Sequence, residues 1–186
     1  LNKAIDLEST SSTELYTPKA KELRIAMLNR FVDDSRRSLE QEDYKSAYIN
    51  LEMSFRVSPS DTLYLYNAAL LATETEDFDQ ALSFYNELIH LEFTGITTNY
   101  YAIEKTTGEV QAFTNPEQRE LFLKAGTHDT PTKDELESVE LSLLRSMAAI
   151  YRNKNNYDKS LSFIEKAKVL DENDINIILL ESNNYS

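Results

Sequence analysis

Small and large apolar residues recur along the chain at helical spacing, and one short pattern returns three times. The segments Asp43-Tyr44-Lys45-Ser46-Ala47, Asp77-Phe78-Asp79-Gln80-Ala81 and Asn156-Tyr157-Asp158-Lys159-Ser160 each read as a polar turn, an aromatic, two polar residues and a small residue. Four residues after each small one stands a large one, Leu51, Tyr85 or Ile164, and seven after it come Ser54, Leu88 and Ala167. That i, i+4, i+7 stripe is one face of a helix, with the small residue where two helices cross closely. Upstream of two of these turns lies a matching stripe: Leu65, Ala68, Ala69 and Ala72 before the second, and Leu144, Met147, Ala148 and Tyr151 before the third. The unit is helix, turn, helix, and Ala47 and Ala81 stand 34 residues apart.

Between Ala81 and Ser160 the spacing grows to 79, an excess of 45 residues that falls at about 96–140. Its first part predicts a β-hairpin: 99–104, a turn 105–108 with Gly108 at a positive-φ position, then 109–113. A short helix follows, with Asn115 as N-cap, Pro116 in its first turn and Gly126 as terminator. Thr132 and Glu135 then form a capping box that predicts a long helix running into the third repeat. An excess this long is a folded element rather than a bare loop. Its hairpin edge is a candidate for docking another protein by strand addition, through Tyr100, Tyr101, Val110 and Phe113; the plainer alternative is that it stiffens the helices.

The repeated unit resembles the tetratricopeptide repeat. The third copy matches its pattern at Leu144, Met147-Ala148, Tyr151, Ser160, Ile164 and Ala167, and the second at Leu65, Ala68-Ala69, Ala72, Ala81 and Tyr85. The first matches at Phe31, Ser35, Ala47, Leu51 and Pro59, but Asp34 stands where leucine is usual. The implied fold is all-α: a tetratricopeptide-like α-solenoid with a folded insertion holding a β-hairpin and a short helix. The implied layout is a single solenoid over 1–186: a partial repeat at 1–8, repeats at about 18–61, 62–95 and 133–174, and the start of another at 175–186. Neighbouring repeats or partner chains are expected to cover both ends.

In that family the first helix of each pair lines the concave face, which implies a groove containing Tyr66, Leu70, Arg145 and Arg36. Asn67 falls where the family often carries a peptide-contacting asparagine, but the Lys and Arg set of the chaperone-tail clamp is missing around it. Such a groove suits an extended or helical peptide with apolar anchors and some acid. The alternative reading of Tyr66 and Leu70 is packing between helices. The stretch 64–69, with Tyr100-Tyr101-Ala102, Thr107-Gly108-Glu109 and 124–128, further resembles exported tetratricopeptide proteins of Bacteroidota, which implies a periplasmic or cell-envelope location.

Composition narrows the chemistry. Three glycines and four prolines among 186 residues are too few for an all-β fold rich in tight turns. A net charge of -13 with no basic run argues against nucleic acid, whose phosphates are held by Lys and Arg. No apolar run approaches the length of a membrane span. With no cysteine, disulfides and thiolate chemistry are excluded. The chain opens on Leu1, so any targeting segment is expected to have been removed or to lie upstream.

Two histidines remain: His90 reads as a cap at a helix end, and His128, in a loop, is a weak metal signal without companions. The acids at 74–79 and 171–174 lack the spacing of a calcium loop and read as turns and N-caps. No catalytic, metal or cofactor site is expected. The partners are other proteins or peptides, within a larger complex. A small-molecule or glycan module using an aromatic cleft is the alternative, and an enzyme is disfavoured.

Overall fold

A computed structural model describes residues 2, 3, 5, 17–96, 98–113, 115–135 and 137–184. The partial repeat expected over 1–8 lies outside these except at 2, 3 and 5, and Tyr185 lies outside them too. In chain order the described elements are α1 (Thr17–Glu40), α2 (Tyr44–Val57), α3 (Leu63–Glu74), α4 (Phe78–His90), β1 (Thr98–Glu104), β2 (Val110–Phe113), α5 (Pro116–Lys124), β3 (His128–Glu135), α6 (Glu140–Asn153), α7 (Tyr157–Leu170) and α8 (Ile175–Asn184). They divide into a helical unit, Leu1–Phe93 with Leu141–Ser186, and a sheet unit, Thr94–Glu140.

The helical unit is a series of helix-turn-helix pairs, α1 with α2, α3 with α4, and α6 with α7, followed by α8. Its core consists of the stripes read above: Ala47, Ala81, Ser160, Leu65, Ala68, Ala69, Ala72, Tyr85, Leu88, Met147, Ala148 and Ile164 are all fully buried. At the α6–α7 crossing the Ser160 hydroxyl donates to the Ala148 carbonyl at 2.9 Å, which satisfies that buried polar group. Asp34 is half-buried on α1 and forms ion pairs with Arg30 and Arg37 of the same helix.

The three turns inside the pairs are built alike. Glu42, Glu76 and Asn155 all lie in the left-handed region, at φ of 58, 57 and 55°. The next residue donates its amide back five positions: Asp43 to Ser38, Asp77 to Ala72, and Asn156 to Tyr151, at 2.8–2.9 Å. This is the Schellman closure, usually supplied with glycine. The residue that closes one helix then begins the next. Asp43 accepts from the Ser46 amide and Asn156 from the Lys159 amide, as N-caps. Asp77 occupies the same position without a side-chain cap. Its carboxylate instead accepts the Tyr48 hydroxyl of α2 at 2.7 Å, tying one pair to the next.

The sheet unit is a three-stranded antiparallel sheet in the order β2-β1-β3, with α5 placed between β2 and β3 in sequence. The hairpin turn holds Gly108 at φ 74°, with its amide bonded to Glu104 at 2.7 Å. Asn115 caps α5 by accepting the Gln118 amide, and Pro116 opens the helix. Gly126 ends it in the left-handed region. The unit closes on itself at Thr94, whose carbonyl accepts from the Val139 amide at 2.9 Å and the Ser138 hydroxyl at 3.0 Å.

Three expectations are corrected here. Thr132 and Glu135 do not open a helix; they belong to β3, and α6 begins at Glu140. Pro131 disfavours helical backbone at Thr130, which sits at φ 47°, and an extended segment gains a ladder with β1 that the local capping signal cannot match. The β1 strand is therefore interior, not the edge of an isolated hairpin. His128, assigned to a loop, is a buried residue of β3.

Candidate protein-binding surfaces

On α3 the 3.6-residue period separates two faces. Leu65, Ala68, Ala69 and Ala72 are fully buried on one, while Leu63, Asn67 and Leu70 lie exposed on the other, with Leu63 and Leu70 at 41 and 38% exposure. Tyr66 sits at the edge between them. It is buried, and its ring packs on Phe93 with centroids 5.5 Å apart. The sequence-predicted Tyr66, Asn67 and Leu70 thus share one helix in two roles, with Asn67 and Leu70 offered to solvent and Tyr66 supporting them. Phe93, the residue that fixes Tyr66, lies beyond the end of α4 and carried no repeat signal.

Arg145 has a partner within the fold. Its guanidinium reaches the Asp174 carboxylate at 3.2 Å, and the other oxygen of Asp174 accepts the Ile177 amide as the cap of α8. One helical stripe further on, Arg152 donates twice to the Asn183 carbonyl in the last turn of α8, at 3.1 and 3.2 Å. Two arginines of α6 therefore grip both ends of α8. The second sits where a helix carries its partial negative charge. Arg36 is exposed on α1 and pairs with Asp33 at 3.4 Å.

The four hairpin residues do not form one surface. Side chains alternate across a strand, so the register Tyr100↔Phe113 puts these two on one face, while Tyr101 and Val110 fall on the other. The first face carries α5. Phe113 is buried beside Phe122 and His128, with ring centroids 5.1–5.6 Å apart within the trio. His128 Nε2 bonds Gln111 Oε1 at 2.7 Å and Nδ1 bonds Thr127 Oγ1 at 2.9 Å, so an amide and a hydroxyl hold the ring. Arg119 of α5 lies over the Tyr100 ring at 5.3 Å and donates to the Thr132 carbonyl at 2.8 Å. On the other face Tyr101 is half-buried and Val110 is 66% exposed. Partial desolvation, and then the Asp134 carboxylate beside it, push the Tyr101 phenol up.

His90 caps its own helix through Nδ1 and the Asn86 carbonyl at 2.6 Å. The acids of the turns serve local structure: Asp171 accepts the Asn173 amide, and Asp79 pairs with Lys154 at 2.8 Å. Among the described residues no cluster of three or more His, Asp or Glu has the arrangement of a metal site, and no helix is long and apolar enough to cross a membrane.

No family model matches the chain, and no curated protein matches it in sequence. Among solved structures it is similar to the crystal structure of the TPR domain of P58(IPK). That alignment has a TM-score of 0.49 at 13% identity and covers 99% of this chain and 39% of the other. The chain thus spans about two fifths of that neighbour's length.

Proposed function

We propose that this chain is a non-catalytic protein-interaction scaffold, a subunit or accessory factor of a cell-envelope assembly. It holds a segment of a partner against the outward stripe of α3. One observation carries the reading: Leu63, Asn67 and Leu70 are exposed on a helix whose opposite face is completely buried. Leu63 and Leu70 flank the Asn67 amide on that stripe, and apolar anchors around an amide suit a peptide. Arg36 and Arg145 keep part of their surface open and supply positive charge for acidic partner residues. The burial of Tyr48, Phe55, Phe84, Tyr85 and Phe113 supports this reading over an aromatic binding cleft. The envelope setting rests on the resemblance to exported repeat proteins.

Photo-cross-linking tests the surface. A photoreactive residue at position 67 or 70, introduced in the protein's own cells, is expected to trap one discrete partner that mass spectrometry identifies. Leu70→Glu is expected to lose it without a change in melting temperature. Equal cross-linking from position 162, exposed on α7 and outside the proposed surface, overturns the assignment. Fractionation of the same cells tests the location.

A further inference from the structure

The two outer strands of the sheet unit are built in opposite ways. On β3, Pro131 supplies no N–H, and a bulge sets Thr130 and Pro131 against the single residue Ala102. Asp129, Lys133, Asp134 and Glu135 add charge along the same strand. These are the devices by which natural sheets refuse further strands. On β2 none of them is present. It reads Val110-Gln111-Ala112-Phe113, with no charge and no proline, and its first three residues are exposed.

The ladder shows which groups of β2 are open. The Glu104 amide donates to the Glu109 carbonyl at 2.9 Å, which marks that pair as a hydrogen-bonded one. Antiparallel pairs alternate, so Ala102↔Gln111 and Tyr100↔Phe113 are also bonded pairs, and Tyr101↔Ala112 and Ile103↔Val110 are not. The N–H and C=O groups of Val110 and Ala112 therefore point away from β1. Their side chains join Tyr101 and Ile103 on the face opposite α5.

We propose that β2 accepts one extended segment of another protein, net-basic, with β-branched or aromatic residues at alternate positions. The apolar positions follow from Val110, Ala112, Tyr101 and Ile103, which would flank every second residue of an added strand. The basic character follows from charge. The unit Thr94–Glu140 carries nine carboxylates against four Lys and Arg, and Glu109 and Glu117 lie beyond the two ends of β2. A second copy of this chain brings the same excess of acid and is disfavoured by like-charge repulsion. The proposal deepens the scaffold reading by assigning a second surface, and its test does not depend on the α3 stripe.

The probe is a synthetic peptide, Lys-Val-Thr-Val-Lys-Val-Lys, titrated into the isotope-labelled chain of residues 1–186 and followed by NMR. The expected result is a shift of the Val110 and Ala112 amide signals, with their hydrogen exchange slowed by about tenfold or more on saturation. A peptide with glutamate in place of every lysine is expected to bind at least about tenfold more weakly. Ala112→Pro removes an outward N–H while leaving the bonded pairs with β1, and is expected to abolish binding; Val110→Lys is expected to weaken it similarly. Retained cross-strand contacts of the bonded pairs Tyr100↔Phe113 and Ala102↔Gln111 verify that each variant keeps its hairpin. Absence of shifts at millimolar peptide, binding retained in both variants, equal binding of the glutamate peptide, or self-association of the free chain through β2 each overturns the proposal.

Discussion

The hydrogen bond between Tyr48 and Asp77 joins two successive helix pairs, and removing it measures how strongly they are coupled. Tyr48→Phe deletes a hydroxyl that donates to a carboxylate at 2.7 Å. A hydrogen bond to a charged group contributes about 1.5–3 kcal/mol. The freed Asp77 already sits at the N-cap of α4 and can turn to cap that helix, which returns about 0.5–1 kcal/mol. The expected loss is about 1–2 kcal/mol, or roughly 3–6 °C in Tm for a chain of this size.

A second arm uses pH. Burial first, then the hydrogen bond and charge of Asp77, push the Tyr48 phenol from 10.0 up to about 12. The raised value means the fold favours the neutral phenol. Its contribution is complete below pH 10, and about 2 kcal/mol of it is lost as pH rises from 10 to 12. The difference between wild type and Tyr48→Phe isolates the contribution of this phenol. Urea denaturation across alkaline pH is expected to show the gap closing over that window. A variant within about 0.3 kcal/mol of wild type at neutral pH, or a gap unchanged by pH, refutes the reasoning.

Glu76→Gly relieves left-handed backbone at φ 57° and is expected to stabilise the chain by about 1 kcal/mol, with Glu76→Ala bringing no such gain; urea midpoints decide it. Ala81→Leu forces a branched side chain into a fully buried position and is expected to cost about 1–3 kcal/mol, read as a lower Tm. Asp174→Ala removes both the α8 cap and the Arg145 ion pair, and is expected to speed amide exchange in α8 ahead of the other helices, by about 1–2 kcal/mol of local opening.

The helix pairs were legible because their signal is local and periodic. Ala47, Ala81 and Ser160 return with the same neighbours, and only small residues fit where they lie. Asn115, Pro116 and Gly126 were legible for the same reason, since a cap acts within one turn. What escaped depends on partners distant in sequence. β3 exists because β1, about thirty residues earlier, offers a ladder, and nothing within Thr132-Lys133-Asp134-Glu135 records that offer. Glutamate at 42 and 76 conceals left-handed turns that glycine would have advertised. Helical period places Arg145 off the buried stripe of α6 but is silent about Asp174 lying across from it. The split of Tyr100 and Phe113 from Tyr101 and Val110 was available in the two-residue period of a strand.

Because Pro131 and its bulge close one border of the small sheet, a copy of this chain offers a single border for pairing with another copy. A ribbon open on both sides would recruit copy after copy and lengthen into a fibre. With Pro131 and its bulge sealing the far side, copies of this chain meeting at Val110 and Ala112 could only pair, and the assembly would stop at two. That ceiling on stoichiometry is written into one proline and one misfit residue.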